Sequence, residues 1–356
     1  MNKTIYPCVL LINDIHVSKD NIPDFRLNWL EALSICEKKG IKVIAVGGDL
    51  FQSRSAQTLD VLLAVYDMLE QAHLRGINVI LANGNHDLID QEAIRGYCHI
   101  FGKHENVTVV DDFLTINQDD WQFDLHMIAY FPEKGSFTDK LNTLIKGGLN
   151  KDKQNILYIH EGINGALLHC SDNELPAHIF GDFNKVFVGH YHNRCNIPKT
   201  NIEYIGSSRQ HNFGEDEEKG YTVLYSNADR KFIKNNVNTR YKNIDIPLDK
   251  LTIHLTDQLE ELKAEGRYKV KVRVHALTTE VSGLDKNALL KSGASKVEII
   301  TKEPEVREIE STSLFEKFDN RKIKENYQEF CLERKIENVS LGLGYLSKID
   351  NYVEIN

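Results

Sequence analysis

The run Asn83-Gly84-Asn85-His86-Asp87 follows directly on the apolar stretch Val79-Ile80-Leu81-Ala82. A β-branched run that stops at Asn-Gly reads as a buried strand ending in a turn, so Asn85, His86 and Asp87 project from the strand's C-terminal end. Open α/β sheets keep their ligands at that end. The same junction recurs four times. Val9-Leu10-Leu11-Ile12 leads into Asp14-Ile15-His16, and Val43-Ile44-Ala45-Val46 into Gly48-Asp49. Ile156-Leu157-Tyr158-Ile159 leads into His160, and Val186-Phe187-Val188 into Gly189-His190-Tyr191-His192. Five strands thus deliver Asp, His and Asn to one edge.

Helical patterns fill the intervals. Residues 24–39 place Trp29, Leu30, Leu33 and Cys36 on one face before Gly40, and residues 58–75 place Leu59, Leu62, Leu63, Tyr66 and Leu69 at helical spacing before Gly76. This β-α-β-α-β alternation predicts an α/β protein with helices packed on a sheet. Short β-like runs at 107–110 and 123–130 predict a second sheet or an antiparallel addition, followed by a helix over 136–146. Tyr221 to Tyr225 is expected to pair with Lys231 to Lys234 across Asn227-Ala228-Asp229-Arg230. Three divisions follow: 1–240 as the main domain, 241–304 as a small α/β cap, and 305–356 as a charged helical extension.

At 356 residues with 41% hydrophobic content, the chain can bury a full core and carry a smaller second unit. The formal charge of -9 and pI near 5.9 argue against a surface that grips nucleic acid everywhere, so any such site is focal. The six cysteines are scattered without a C-x-x-C pair, which points to a reducing compartment rather than a disulfide framework. The apolar run near the N-terminus is shorter than the ~7–15 residues of a signal peptide core. No run approaches the ~20 apolar residues of a membrane span, so no membrane partner is expected.

An oxygen and imidazole donor set without cysteine suits manganese, iron or zinc. The Asp49 carboxylate can bridge two cations, with Asp14, His16, Asn85, His160, His190 and His192 supplying three ligands to each side. Two cations ~3.5–4 Å apart can activate water and clamp a phosphoryl group, which makes phosphoester hydrolysis the natural reaction. His86 is expected to face the substrate and protonate the leaving oxygen or neutralise charge on the phosphate, with Asp87 as its orienter. His126, His169, His178 and His211 lack a strand-end context and read as structural or exposed, as do Arg54 and Arg209.

Asp14-x-His16, Gly48-Asp49, Gly84-Asn85-His86-Asp87, His160 and Gly189-His190-x-His192 resemble the five motifs of the calcineurin-like metallophosphoesterase superfamily. The resemblance implies a β-sandwich flanked by helices in four layers and a dinuclear centre, often manganese. It places Asp14, His16, Asp49 and His192 on one metal, and Asp49, Asn85, His160 and His190 on the other. Within the superfamily, Gly48-Asp49-Leu50-Phe51, Tyr204-Ile205-Gly206-Ser207-Ser208-Arg209-Gln210, Gly214-Glu215-Asp216 and Lys219-Gly220-Tyr221 look like the SbcD/Mre-eleven nucleases, with a T-even phage member nearest. That likeness runs from about residue 5 to 225. It implies a manganese-dependent DNA exonuclease or endonuclease subunit, a homodimer, that processes double-stranded ends and single strands. Its partner would be an SbcC-type coiled-coil ATPase, in a bacterial or phage-infected cytoplasm.

Phosphoprotein phosphatases carry G-D-x-x-D-R-G and end the third motif in Glu. Leu50-Phe51-Gln52-Ser53-Arg54 and Asp87 depart from both. Gln52 stands where archaeal and eukaryotic nucleases of the family often have histidine, which leaves the exonuclease and endonuclease balance open. The rival readings are a small-molecule phosphoesterase and a non-catalytic scaffold. The scaffold's usual mark is lost ligands, whereas all seven are present here. In the cap, Val270, Val272 and Val274 alternate with Lys269, Lys271, Arg273 and His275, so a strand would bury one face and show a basic row on the other. In the extension, Leu314, Phe315 and Phe318, then Ile323, Tyr327, Phe330 and Cys331, recur at helical spacing. Residues 311–349 are expected to dock on the ATPase through these stripes.

Overall fold

Side chains on a strand alternate between its two faces, and the strands here bury both. On β1 (Pro7–Ile12), Val9 and Leu11 face one apolar cluster while Leu10 and Ile12 face another. On β7 (Gln154–His160), Ile156 and Tyr158 join the cluster of Val9 and Leu11, while Leu157 and Ile159 face a third. The shared cluster is therefore a seam between two sheets, filled by Val9, Leu11, Ala45 and Ile80 from one and Phe123, Leu125, Met127 and Phe187 from the other. The computed structural model describes residues 4–89, 95–131, 136–167, 174–251, 253–278, 281, 285–302, 323–334, 336 and 338–350.

The first sheet adds β2 (Val43–Val46), β3 (Asn78–Ala82), β4 (Val107–Val110), β11 (Gly220–Tyr225) and β12 (Arg230–Lys234) in the order β12-β11-β1-β2-β3-β4. β1 to β4 run parallel, and β11 pairs antiparallel with both β1 and β12. The second adds β5 (Phe113–Ile116), β6 (Phe123–Ile128), β8 (Lys185–Gly189), β9 (Cys195–Asn196) and β10 (Ile202–Tyr204) in the order β5-β6-β7-β8-β10-β9. Helices α1 (Ile22–Lys39) and α2 (Leu59–His73) cover the outer face of the first sheet, and α3 (Ser136–Lys146) that of the second. These four layers are the expected sandwich, with the strand-end motifs shared between two sheets rather than lined along one edge.

α1 begins two residues earlier than the periodicity suggests, with a proline in its first turn, and stops at Gly40, whose φ of 70° a side chain would disfavour. Its buried face is Phe25, Trp29, Ala32, Leu33 and Cys36, and Leu30 is 41% exposed. On α2 the expected stripe is rotated. Val61, Ala64, Val65, Met68, Leu69 and Ala72 are buried, whereas Leu59, Leu63 and Tyr66 are exposed. Small residues let this helix lie close to the sheet, and of the expected stripe Leu69 enters the core and Leu62 packs half-buried against it, while Leu59, Leu63 and Tyr66 face outward.

The chain separates into two compact units, Met1–Val274 with Asp285–Ile299, and His275–Leu284 with Ile300–Asn356. A third sheet has the order β13 (Arg240–Pro247), β14 (Tyr268–Leu277), β15 (Lys296–Lys302), with α4 (Ile253–Ala264) and α5 (Lys286–Ser292) packed on each other. The sequence reading leaves β13 as a connection. Val270, Val272 and Val274 are buried as the alternation predicts. The basic row is partly answered within the fold. Lys271 Nζ lies 3.7 Å from Glu298 and 4.9 Å from the centre of the Phe213 ring, and Arg273 is 3.2 Å from Asp245.

In the other unit, α6 (Ile323–Glu333) and α7 (Val339–Asp350) pack on each other, with Tyr327 against Gly342. Cys331 is buried, but Phe330, expected on the same face, is 50% exposed. The expected helix around Leu314, Phe315 and Phe318 lies outside the described residues, as does His169. Among the described residues, no helix is long and apolar enough to cross a membrane.

Candidate metal centre

The loops after β1, β2 and β3 carry Asp14, His16, Asp49 and Asn85, and the ends of β7 and β8 bring His160, His190 and His192 from the other sheet. Hydrogen bonds hold the first two loops side by side, with Asp14 N donating to the Gly48 carbonyl (3.1 Å) and Ile15 and His16 N to the Asp49 carbonyl (2.9 and 3.0 Å). The sheets are tied just beneath, where the Tyr158 hydroxyl donates towards the Ile12 carbonyl (2.8 Å) and Asn13 Oδ1 (2.9 Å). The close approach excludes side chains at two glycines. A Cβ on Gly84 would lie 2.3 Å from Asp49 N, and one on Gly48 2.4 Å from His160 Nδ1.

Asp49 sits at the centre. Its Oδ2 is 3.5 Å from His16 Nε2 and 3.2 Å from His160 Nε2, while Oδ1 accepts the His86 N–H at 2.8 Å. Asp14 Oδ1 lies 3.8 Å from His160 Nε2 and 3.9 Å from His192 Nε2, and Asn85 Oδ1 is 3.3 Å from His190 Nδ1. All seven sequence-predicted ligands therefore come together. Asp14, His16, Asp49 and His160 are buried and form a floor, while Asn85, His86, His190 and His192 are half-buried around an open side. Four of them, Asp14, His16, Asp49 and His190, hold φ values of 50°, 50°, 52° and 90°. Such conformations cost roughly 1–3 kcal/mol each and gather where a site needs a fixed geometry.

The donor set fits divalent cations. His16 Nε2 and His192 Nε2 face each other at 3.1 Å, and His160 Nε2 is buried without a hydrogen-bond partner. Asp14, His16 and His192, and likewise Asp14, Asp49 and His160, offer ligand atoms within 4.8 Å of one another. Burial pushes His16 and His190 down to about 4, so both are neutral and ready to ligate. Burial also works against a charge on His160, but Asp49 and Asp14 overcome it and raise that imidazole to about 10. The negative charge that holds a proton there is the charge a cation would answer.

Asp87 does not orient His86. Its carboxylate is fully buried and accepts Gly84 N–H (2.8 Å), Phe51 N–H (2.9 Å) and Leu50 N–H (3.3 Å), locking the third motif to the second. The Gln52 carbonyl orients His86 instead, 2.8 Å from Nδ1. The adjacency in sequence that suggested a pair does not survive a turn that sends neighbouring side chains opposite ways.

Further supporting residues come from the segment after β10. Glu215 accepts from His192 Nδ1 at 2.8 Å and fixes the tautomer that leaves Nε2 free for a cation. His211, expected to be structural or exposed, has Nε2 2.8 Å from the Asp14 carbonyl, and its ring is 5.0 Å from His16 and 4.9 Å from His192. Arg209 is buried and donates to the Ile15 and His16 carbonyls (3.0 and 3.1 Å). Lys219 is wholly buried and holds the His192 carbonyl and Asn193 Oδ1, both at 2.7 Å. The sequence marked this segment through its resemblance at Tyr204 to Gln210, Gly214-Glu215-Asp216 and Lys219-Gly220-Tyr221, but gave none of these residues a role at the site. His126 is a core histidine, held by Thr115 and Asn155.

A family model described as calcineurin-like phosphoesterase matches residues 9–194, just over half the chain. The chain belongs to that family and is by membership a hydrolase of phosphoester bonds. A protein of Invertebrate iridescent virus 3 named as a phosphoesterase is 25% identical over 330 residues, covering 87% of this chain and 89% of the viral one. The SbcD subunit of the SbcCD nuclease of Staphylococcus saprophyticus is 24% identical over 208 residues, 51% of this chain and 54% of that protein. Among solved structures, a dimetal phosphatase from Danio rerio aligns at a TM-score of 0.41 and 11% identity, covering 63% of this chain and 95% of that one.

Proposed function

We propose that this chain is a metal-dependent DNA nuclease subunit of the SbcD/Mre-eleven type, acting on DNA ends with an SbcC-type ATPase and as a homodimer. The observation that carries this reading lies beyond the family model. Arg209, His211, Glu215 and Lys219 belong to the segment whose sequence resembles those nucleases, and that segment buttresses His16 and His192. The likeness to the staphylococcal SbcD proteins supports it.

Asp14, His16, Asp49 and His192 would hold one cation, and Asp49, Asn85, His160 and His190 the other, with manganese the ion that the family resemblance implies among those the donors suit. Bound there, the pair supplies charge neutralisation of a phosphodiester and activation of water. The chain's own part is positional. Asp49 spans both sides from the floor of the site. Asn85 and His190 face the phosphate from the open side, and His86 delivers a proton to the leaving oxygen, its ring aimed by the Gln52 carbonyl. Glu215 keeps His192 in register.

The second reading, a phosphoesterase acting on a small molecule, is favoured by the viral relative that covers most of this chain. An assay with manganese, magnesium or chelator, on end-labelled duplex and single-stranded DNA, decides between them. Manganese-stimulated cleavage, alone or with an ATPase partner, is expected. Hydrolysis of nucleotide esters with both DNAs left intact would overturn the nuclease reading in favour of the second.

A further inference from the structure

In a chain with 52 acidic residues against 43 lysines and arginines, an arginine has carboxylates within easy reach. Most are answered inside the fold. Arg26 meets Asp67 and Arg194 meets Glu203, Arg209 and Arg240 donate to backbone carbonyls, and Arg334 lies over the Phe330 ring. Among the described residues, Arg54 and Arg95 stand apart, because both are exposed and neither guanidinium meets a carboxylate, a carbonyl or a ring.

Both lie on loops that meet the His86-Asp87 turn. Arg54 follows the second motif, where the Gln52 N–H donates to the Val17 carbonyl (3.0 Å) and the Gln52 carbonyl faces His86 Nδ1 (2.8 Å). Arg95 leads into Gly96 and the 3-10 turn Tyr97–Phe101. Gly96 presses on the third motif so closely that a Cβ there would lie 2.3 Å from Asn83 Oδ1 and 2.6 Å from the Asp87 carbonyl. Tyr97 joins the two loops. Its N–H donates to the Asp87 carbonyl (2.8 Å) and its hydroxyl to the Arg54 carbonyl (3.1 Å).

The backbone at both arginines is therefore held firmly, while their side chains do nothing for the fold. A guanidinium keeps its charge at any working pH and offers a planar fork of N–H donors that matches two phosphate oxygens at once. The metal centre takes one phosphoryl group, and His86 serves its leaving oxygen. We propose that Arg54 and Arg95 clamp a second phosphate of the substrate, the neighbour of the one that is cut, on the leaving-group side that His86 marks. The proposal deepens the nuclease reading, on which the identity of that neighbour as the next phosphodiester of a strand rests. Neither arginine touches a proposed metal ligand, so the clamp sets the register of the strand and leaves the cations to the seven ligands. It also gives an acidic protein the focal positive charge that its overall balance denies it.

The test is calorimetric titration of the manganese-loaded full chain with thymidine 3′,5′-bisphosphate, which spaces two phosphates as a strand does, and with the 3′- and 5′-monophosphates. The bisphosphate is expected to bind about tenfold or more tightly than either monophosphate. Arg54→Gln and Arg95→Gln remove no contact that the fold uses, so each should narrow that advantage and the pair should erase it, with manganese stoichiometry and monophosphate affinity kept. Equal affinity for all three nucleotides in the unaltered chain, or an undiminished advantage in the double variant, would overturn the proposal. So would loss of bound manganese in either variant, which would place that arginine at the metals. The nuclease reading fails separately: DNA left intact while the bisphosphate advantage holds would keep the clamp and assign it to a small bisphosphorylated substrate.

Discussion

Replacing Asp87 by asparagine separates two roles that sequence alone confounds. The native carboxylate takes three backbone N–H donors, Phe51 on Oδ1 and both Leu50 and Gly84 on Oδ2. Asparagine keeps one acceptor oxygen. Set in the Oδ2 position it retains two donors and turns its NH2 against Phe51 N–H, and flipped it loses the other two. Each lost bond to a charged acceptor is worth ~1.5–3 kcal/mol, so one bond is forfeited at the least. Burial and the neighbouring Asp49 charge push the Asp87 carboxyl up to about 7 against the pull of the Gly84 and Phe51 N–H groups, so neutralisation returns part of the cost. A net loss of ~1–3 kcal/mol remains, which lowers Tm by roughly 2–8 °C in a domain this large. Because Gly84 abuts Asp49 and Asn85 follows it, metal affinity should fall with stability. Scanning calorimetry of the metal-free chain and calorimetric metal titration measure both. An unchanged Tm and metal affinity with a fall in kcat alone would refute this and restore Asp87 as the orienter of His86.

Asp49→Asn should lose metal and activity together, whereas His86→Ala should keep its metal content by elemental analysis and lose turnover, and a missing metal equivalent in His86→Ala would make that histidine a ligand. Tyr158→Phe removes the hydroxyl shared by Ile12 and Asn13 and should cost ~1–2 kcal/mol in urea unfolding, with no change expected only if the two sheets do not depend on that tie. Burial raises Cys8 and Cys36 to about 12 and also pushes the Cys98 thiol well up, so a thiol reagent should reach these three only after denaturant is added.

The strand-end junctions were readable because each couples a continuous apolar run, as a strand buried on both faces requires, to a turn residue, and both halves of that signal are local. What was not local was lost. The rotation of α2 depends on how closely Ala64 and Ala72 let it approach the sheet, which leucine spacing cannot report. His211 and Glu215 reach the site through a return of the chain that no periodicity marks. Asp87 lies beside His86 in the sequence, and only the turn at Gly84 shows that it faces the other way.

The ligands come from both sides of the sandwich, four on loops of one sheet and three on the ends of the other, with Tyr158 as a fixed pivot below them. Cations held at this seam would act as a latch between two slabs, so loading the site and stiffening the body are one event. At a hundred times the dissociation constant such a latch adds ~2.7 kcal/mol. Substitutions deep in the seam, at Phe187 or Met127, neither of them a ligand, should then shift metal affinity, because they change how far apart the two halves of the latch come to rest.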